Sequence, residues 1–138
     1  MSLPFHYVDV RAFCYATESE DRVESALRTL LPEGAEIERE KSEGHHGDPI
    51  LLLSTRLERA DEVRAVFSLL RENLDFDRIR NELPQRIDEK NSLFLQLDKE
   101  AAYEGTVTLG SGITIRAKVE AYPANRDAAI ENAREALS

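Results

Sequence analysis

The stretch Phe5-His6-Tyr7-Val8-Asp9-Val10-Arg11-Ala12-Phe13-Cys14-Tyr15-Ala16 alternates residue by residue. Val8, Val10, Ala12 and Cys14 share one parity; Tyr7, Asp9, Arg11, Phe13 and Tyr15 share the other. Successive side chains of a strand point to opposite faces, so this period of two predicts a strand with one aliphatic and one aromatic, charged face. The aliphatic face needs a covering layer. The other face can stand in water, which predicts a sheet covered on one side.

Working outward, Thr17 or Ser19 is placed to cap a helix with an acidic first turn. Val23, Ala26, Leu27, Leu30 and Leu31 give that helix a single apolar stripe, and Pro32 and Gly34 end it. Residues 35–42 read as an edge strand with Glu36, Glu38 and Glu40 on one face, where charge opposes edge-to-edge association. The loop Glu43-Gly44-His45-His46-Gly47-Asp48-Pro49 leads into residues 50–57. That strand is apolar on both faces for four residues, as a central strand is, and the two strands form a hairpin.

A second helix starts near Ala60, with Val63, Val66, Phe67, Leu70 and Leu74 inward. A third begins near Asp75, and Pro84 must interrupt or kink it before Ile87. Residues 92–97 alternate again, with Leu93, Leu95 and Leu97 inward and Phe94 and Gln96 outward. Residues 98–105 read as a helical turn. Residues 106–109 and 113–122 read as a hairpin across Gly110-Ser111-Gly112, and a last helix from about Asn125 buries Ala129, Ile130, Ala133 and Leu137. The order β-α-β-β-α-α-β-β-β-α predicts one α+β domain over residues 1–138. It is a two-layer sandwich in which helices cover one face of an antiparallel or mixed sheet.

The composition narrows the function classes. The chain has 138 residues and a formal net charge of -9, from 27 Asp+Glu against 18 Lys+Arg, and the latter divide into 14 Arg and only 4 Lys. So acidic a chain is a poor candidate for binding through a generic positive surface. Glutamates scattered along the chain, with lysine scarce, fit adaptation of a whole surface to a high-salt cytosol better than an acidic tail. No apolar run is long enough for a membrane helix and no basic-then-apolar leader opens the chain, so a soluble, cytoplasmic protein with no membrane partner is expected. The single cysteine excludes an internal disulfide and a cysteine zinc cluster.

Little points to catalysis. Cys14 lies on the inward face, where it is a small hydrophobe and not a nucleophile. Carboxylates are so abundant that any acid/base pair among them is uninformative. Gly110-Ser111-Gly112 lacks the Lys-Ser/Thr ending and the following helix of a phosphate-binding loop. His45 and His46, adjacent in an extended loop, point apart and read as solvated instead of metal-bound, and His6 reads as a surface histidine. The expectation is no enzyme, no metal and no cofactor.

The outward parity gathers Tyr7, Arg11, Phe13, Tyr15, Phe94, Arg116, Lys118 and Tyr122 on the uncovered face. Rings among cations suit single-stranded RNA, because rings stack on bases and cations meet phosphates. The same residue types suit a homodimer interface.

Several phrases in combination resemble a known family. They are Phe5-His6-Tyr7-Val8-Asp9-Val10-Arg11-Ala12-Phe13-Cys14-Tyr15-Ala16-Thr17-Glu18 with its following helix ending in Leu31-Pro32, and the loop from Glu43 to Pro49. Phe94-Leu95-Gln96-Leu97-Asp98-Lys99-Glu100-Ala101-Ala102-Tyr103-Glu104-Gly105 and Lys118-Val119-Glu120-Ala121-Tyr122-Pro123 complete the set. Together they resemble an archaeal family of predicted RNA-binding proteins and exosome subunits. The resemblance implies a fold similar to the ribosomal protein that binds five-S ribosomal RNA. It also implies a cytoplasmic protein of RNA processing or the ribosome, with RNA and exosome or ribosomal components as partners. It carries over no catalytic or RNA-contacting residue.

Overall fold

The computed structural model describes residues 3–44 and 47–138. Five strands, β1 (Phe5–Cys14), β2 (Glu38–Glu43), β3 (Pro49–Leu57), β4 (Ser92–Asp98) and β5 (Gly112–Val119), form one sheet in the order β2-β3-β1-β5-β4. Every neighbouring pair is antiparallel. The helices are α1 (Glu20–Leu30), α2 (Ala60–Asn73), α3 (Phe76–Asn81), α4 (Leu83–Arg86), α5 (Lys99–Tyr103) and α6 (Arg126–Ala136). The fold is α+β, and the opening strand holds its centre.

The register follows from the alternation. Val8, Val10 and Ala12 of β1 sit opposite Leu57, Thr55 and Leu53 of β3 and opposite Ala117, Ile115 and Ile113 of β5. These inward residues are buried and join Leu27 and Leu30 of α1, Val66 and Leu70 of α2 and Ala129 and Ala133 of α6 in a single cluster. Thr55 is the one hydroxyl among them; its Oγ1 donates to the Glu36 carbonyl at 2.8 Å, which satisfies it in the dry layer. Among the described residues no helix packs on the middle of the reverse face: Arg11, Phe13, Arg56 and Gln96 are exposed there.

Three local readings are revised. A bulge at His6 breaks the parity at the start of β1: Phe5 pairs with Val119 and Tyr7 with Lys118, so the extra residue puts Phe5 and Tyr7 on opposite faces. Phe5 goes inward and stacks on Phe67 of α2 with ring centroids 4.4 Å apart. Pro84 interrupts the third helix as expected and starts another, because it occupies the first turn of α4, where a missing N–H costs nothing.

The hairpin expected between residues 106–109 and β5 is instead a hairpin of β4 with β5. Residues 106–109 contribute only a bridge, Leu97 to Leu109, along the other edge of β4. The reason lies in Asp98, whose side chain caps α5 by accepting from the Ala101 N–H at 2.8 Å. A Cβ on Gly110 would come within 2.6 Å of Asp98 Cβ, so the glycine is there for close passage, not for a two-residue turn. Finally, β5 ends at Val119, not at Tyr122. His45 and His46 lie outside the described residues.

Candidate nucleic-acid interface

The open face is organised in rows that cross the strands. The row through Asp9, one beyond that of Tyr7 and Lys118, places Arg56 of β3, Asp9 of β1, Arg116 of β5 and Phe94 of β4 side by side. Arg56 grips Asp9 with two bonds, Nε to Oδ1 at 2.8 Å and Nη2 to Oδ2 at 3.0 Å. Arg116 Nη2 adds a third at 2.6 Å. Burial alone would raise the pKa of Asp9, but these hydrogen bonds and the two positive charges outweigh it and hold the carboxyl below its ordinary value. Arg56 also lies over the ring of Tyr7 at 3.9 Å, with Arg116 at 6.0 Å. Two guanidiniums are thereby fixed flat on the sheet before any ligand arrives.

The far end of β1 is different. Phe13 and Tyr15 are 44% and 49% exposed, with ring centroids 6.3 Å apart and planes tilted by 33°. Lys99 Nζ supports this end from behind: it bonds Glu18 at 2.7 Å and the Phe13 carbonyl at 3.1 Å and sits 5.5 Å from the Tyr15 ring. Burial would raise the Glu18 pKa; the bonds from Lys99 and from the Tyr15 N–H override it and lower it.

Of the eight residues read from the sequence, the fold brings Tyr7, Arg11, Phe13, Phe94, Arg116 and Lys118 to this face. Tyr15 lies one residue past the end of β1, beside Phe13. Tyr122 lies past the end of β5, 91% exposed and outside the sheet. The six on the face are not equivalent. The Tyr7 ring is already stacked under Arg56, Arg116 is tied to Asp9, and Lys118 donates to the Lys90 carbonyl. Arg11 has no ion-pair or hydrogen-bond partner for its side chain among the described residues. On β3, β1 and β5 the face carries four cations, Arg11, Arg56, Arg116 and Lys118, against the single carboxylate of Asp9.

Asp9 and Arg56 were missed by the search for rings and cations. The signal was present, because Asp9 has the parity of Tyr7 and Arg11, but their meeting needed the β1–β3 register. The same register turns Glu38 and Glu40 of β2 onto this face, opposite Ser54 and Leu52. The acidic side of the edge strand therefore borders the cationic centre.

The sheet thus presents a face with exposed rings beside guanidiniums held by Asp9, and among the described residues no helix lies over its middle. The chain belongs to the family whose model is described as RNA binding, which matches residues 7–119. It is 32% identical to the RNA-binding protein PAB1135 of Pyrococcus abyssi, over 98% of this chain and 95% of that one. Among solved structures it is similar to protein AF2318 from Archaeglobus fulgidus, of family DUF54. That match has 35% identity and a TM-score of 0.88, covering 96% and 99% of the two chains. It is also similar to the DUF54 protein Mth689 from Methanothermobacter thermautotrophicus, with 42% identity and a TM-score of 0.83 over 97% and 98%. No helix among the described residues is long and apolar enough to cross a membrane.

Proposed function

We propose that the chain is a non-enzymatic RNA-binding protein that holds single-stranded RNA across its open sheet face. It acts in the cytoplasm as one α+β domain over residues 1–138 and serves RNA processing, at the exosome or the ribosome. The observation that carries the reading is the exposed Phe13–Tyr15 pair beside a preformed cationic centre, on a face that no helix among the described residues covers.

The acidic total limits how RNA is held. In a cytosol of molar salt the Debye length falls to about 3 Å, so a net charge of -9 repels RNA only at short range. The same salt removes most of the gain from releasing counterions. Binding then rests on stacking, worth roughly 1–3 kcal/mol per base, and on hydrogen bonds.

The test is RNA affinity in molar KCl for wild type, Phe13→Ala and Lys118→Ala. The expected result is a larger loss for Phe13→Ala. Equal binding by all three removes the aromatic end from the site. Half-buried Ile50 and Leu52 lie on the same face, Leu52 directly opposite Phe13, and they support a second reading, a homodimer packed through this face. Light scattering over a concentration series decides it: a dimer that Phe13→Ala dissociates, with no RNA bound, replaces the first reading.

A further inference from the structure

The middle row of the open face joins two charged residues that no described residue satisfies. Arg11 of β1 lies opposite Ser54 of β3, and Ser54 lies opposite Glu38 of β2. Arg11 and Glu38 are thus two strands apart, about 9–10 Å between backbones, with only a small hydroxyl side chain between them. Both are exposed, and neither side chain has an ion-pair or hydrogen-bond partner among the described residues. Neighbouring cations behave otherwise: Arg56 and Arg116 are both consumed by Asp9. The gap opens into a broader trough that Glu36, Arg56, Glu58 and Glu62 also line.

A ligand that fills this notch must offer acceptors to a guanidinium and donors to a carboxylate. An RNA strand running over the face supplies bases, and the four bases differ in this respect. Guanine has two adjacent acceptors, O6 and N7, which a guanidinium takes with two bonds. It also has two adjacent donors, N1–H and the N2 amino group, which a carboxylate takes with two bonds. Adenine sets its amino donor beside N7, so a guanidinium cannot bond both. Uracil has no amino group. Cytosine carries one amino donor, on the same edge as its acceptors.

We infer that the notch between Arg11 and Glu38 is a guanine subsite of single-stranded RNA, with Arg11 donating to O6 and N7 and Glu38 accepting from N1 and N2. Ser54 leaves the floor open. The Arg56–Asp9–Arg116 clamp walls the subsite on one side, and one row further on, about 7 Å along β1, Phe13 meets the adjoining base. Glu38 therefore acts as a reader of the base and not only as an edge charge. This rests on the proposed RNA binding and adds a base preference to it.

The test uses RNA octamers of uridine carrying one central guanosine, adenosine, inosine or 7-deazaguanosine, bound in molar KCl to wild type, Glu38→Gln and Arg11→Ala. Wild type is expected to prefer the guanosine octamer over the adenosine one by about tenfold or more. Inosine lacks the N2 amino group and 7-deazaguanosine lacks N7, so each binds wild type more weakly. Glu38→Gln loses the guanosine–inosine difference, and Arg11→Ala loses the guanosine–7-deazaguanosine difference. Equal wild-type affinity for the guanosine and adenosine octamers, with RNA still bound, overturns the subsite and leaves RNA binding standing. A uniform rise in affinity for every octamer on Glu38→Gln also overturns it, because Glu38 then only repels phosphate. Guanosine 5′-monophosphate alone should compete weakly; if it binds as tightly as the octamer, the notch reads a free nucleotide and the RNA assignment fails. No binding of any octamer by wild type overturns both proposals.

Discussion

On the inner face of β1, Val8, Val10 and Ala12 are sealed under α1 and α2 among apolar groups, with Thr55 the one hydroxyl opposite them; on its outer face Arg11 and Phe13 are exposed. The two faces share one backbone and one register, yet their side chains answer to different constraints. An inner residue is chosen by volume and apolarity, and its neighbours are whatever fills the layer. An outer residue is chosen by what it can meet, and its partners depend on which strand lies beside it. On the proposed reading, stability belongs to one face and recognition to the other, and substitutions on each should separate the two.

The largest separation is expected from the core. Leu53→Ala or Ile115→Ala removes a buried side chain from the sheet's centre and should cost about 2–5 kcal/mol in denaturant unfolding. The folded fraction of either variant should still bind RNA with wild-type affinity. Next comes the aromatic end: Phe13→Ala combined with Tyr15→Ala should weaken RNA binding by about 1–3 kcal/mol for each stacked base lost. Unfolding of that variant should stay within about 0.5 kcal/mol of wild type, because both rings are exposed. A double variant that unfolds as readily as Leu53→Ala breaks the division between the faces.

The Asp9 clamp tests the boundary between them, being both half-buried and charged. Its folded-state pKa lies below the ordinary value, so its contribution is fully present above the unfolded-chain pKa of about 3.9 and is lost as pH falls through the lower folded value. Stability measured from pH 7 downward should fall in that acid range, with Glu18, also lowered by its Lys99 pair, adding to the loss. Asp9→Asn should cost about 1 kcal/mol at pH 7 and should show a smaller acid loss than wild type. The smallest effect is expected for Lys118→Ala in molar salt, a change in RNA affinity of under about 0.5 kcal/mol, since screening has already weakened phosphate contacts.

The inner face was legible in the sequence because burial needs only parity and hydrophobicity. Val8 to Cys14, Leu93 to Leu97 and Ile113 to Val119 alternate, and the sheet buries those parities. Breaks in the pattern were not legible, because single residues with tertiary partners cause them. The His6 bulge sends Phe5 to Phe67 of a distant helix, and Asp98 turns to cap α5 and displaces a strand that alternation alone would place at residues 106–109. On the outer face the members were legible and their pairing was not. Tyr7, Arg116 and Phe13 share a face, but only the strand order β2-β3-β1-β5-β4 brings Arg56 to Asp9 and sets Glu38 in one row with Arg11. Tyr122 shows the opposite failure, since parity was carried past the end of the strand that enforces it.

The most direct measurement of the central claim is ultraviolet crosslinking of the protein to single-stranded RNA in molar KCl, with mass-spectrometric mapping of the crosslinked peptide. Crosslinks are predicted on the tryptic segment from Ala12 to Arg22, which carries Phe13 and Tyr15. Crosslinks confined to Tyr103 on α5 or to Tyr122 beyond β5, both exposed rings off the open face, would contradict it.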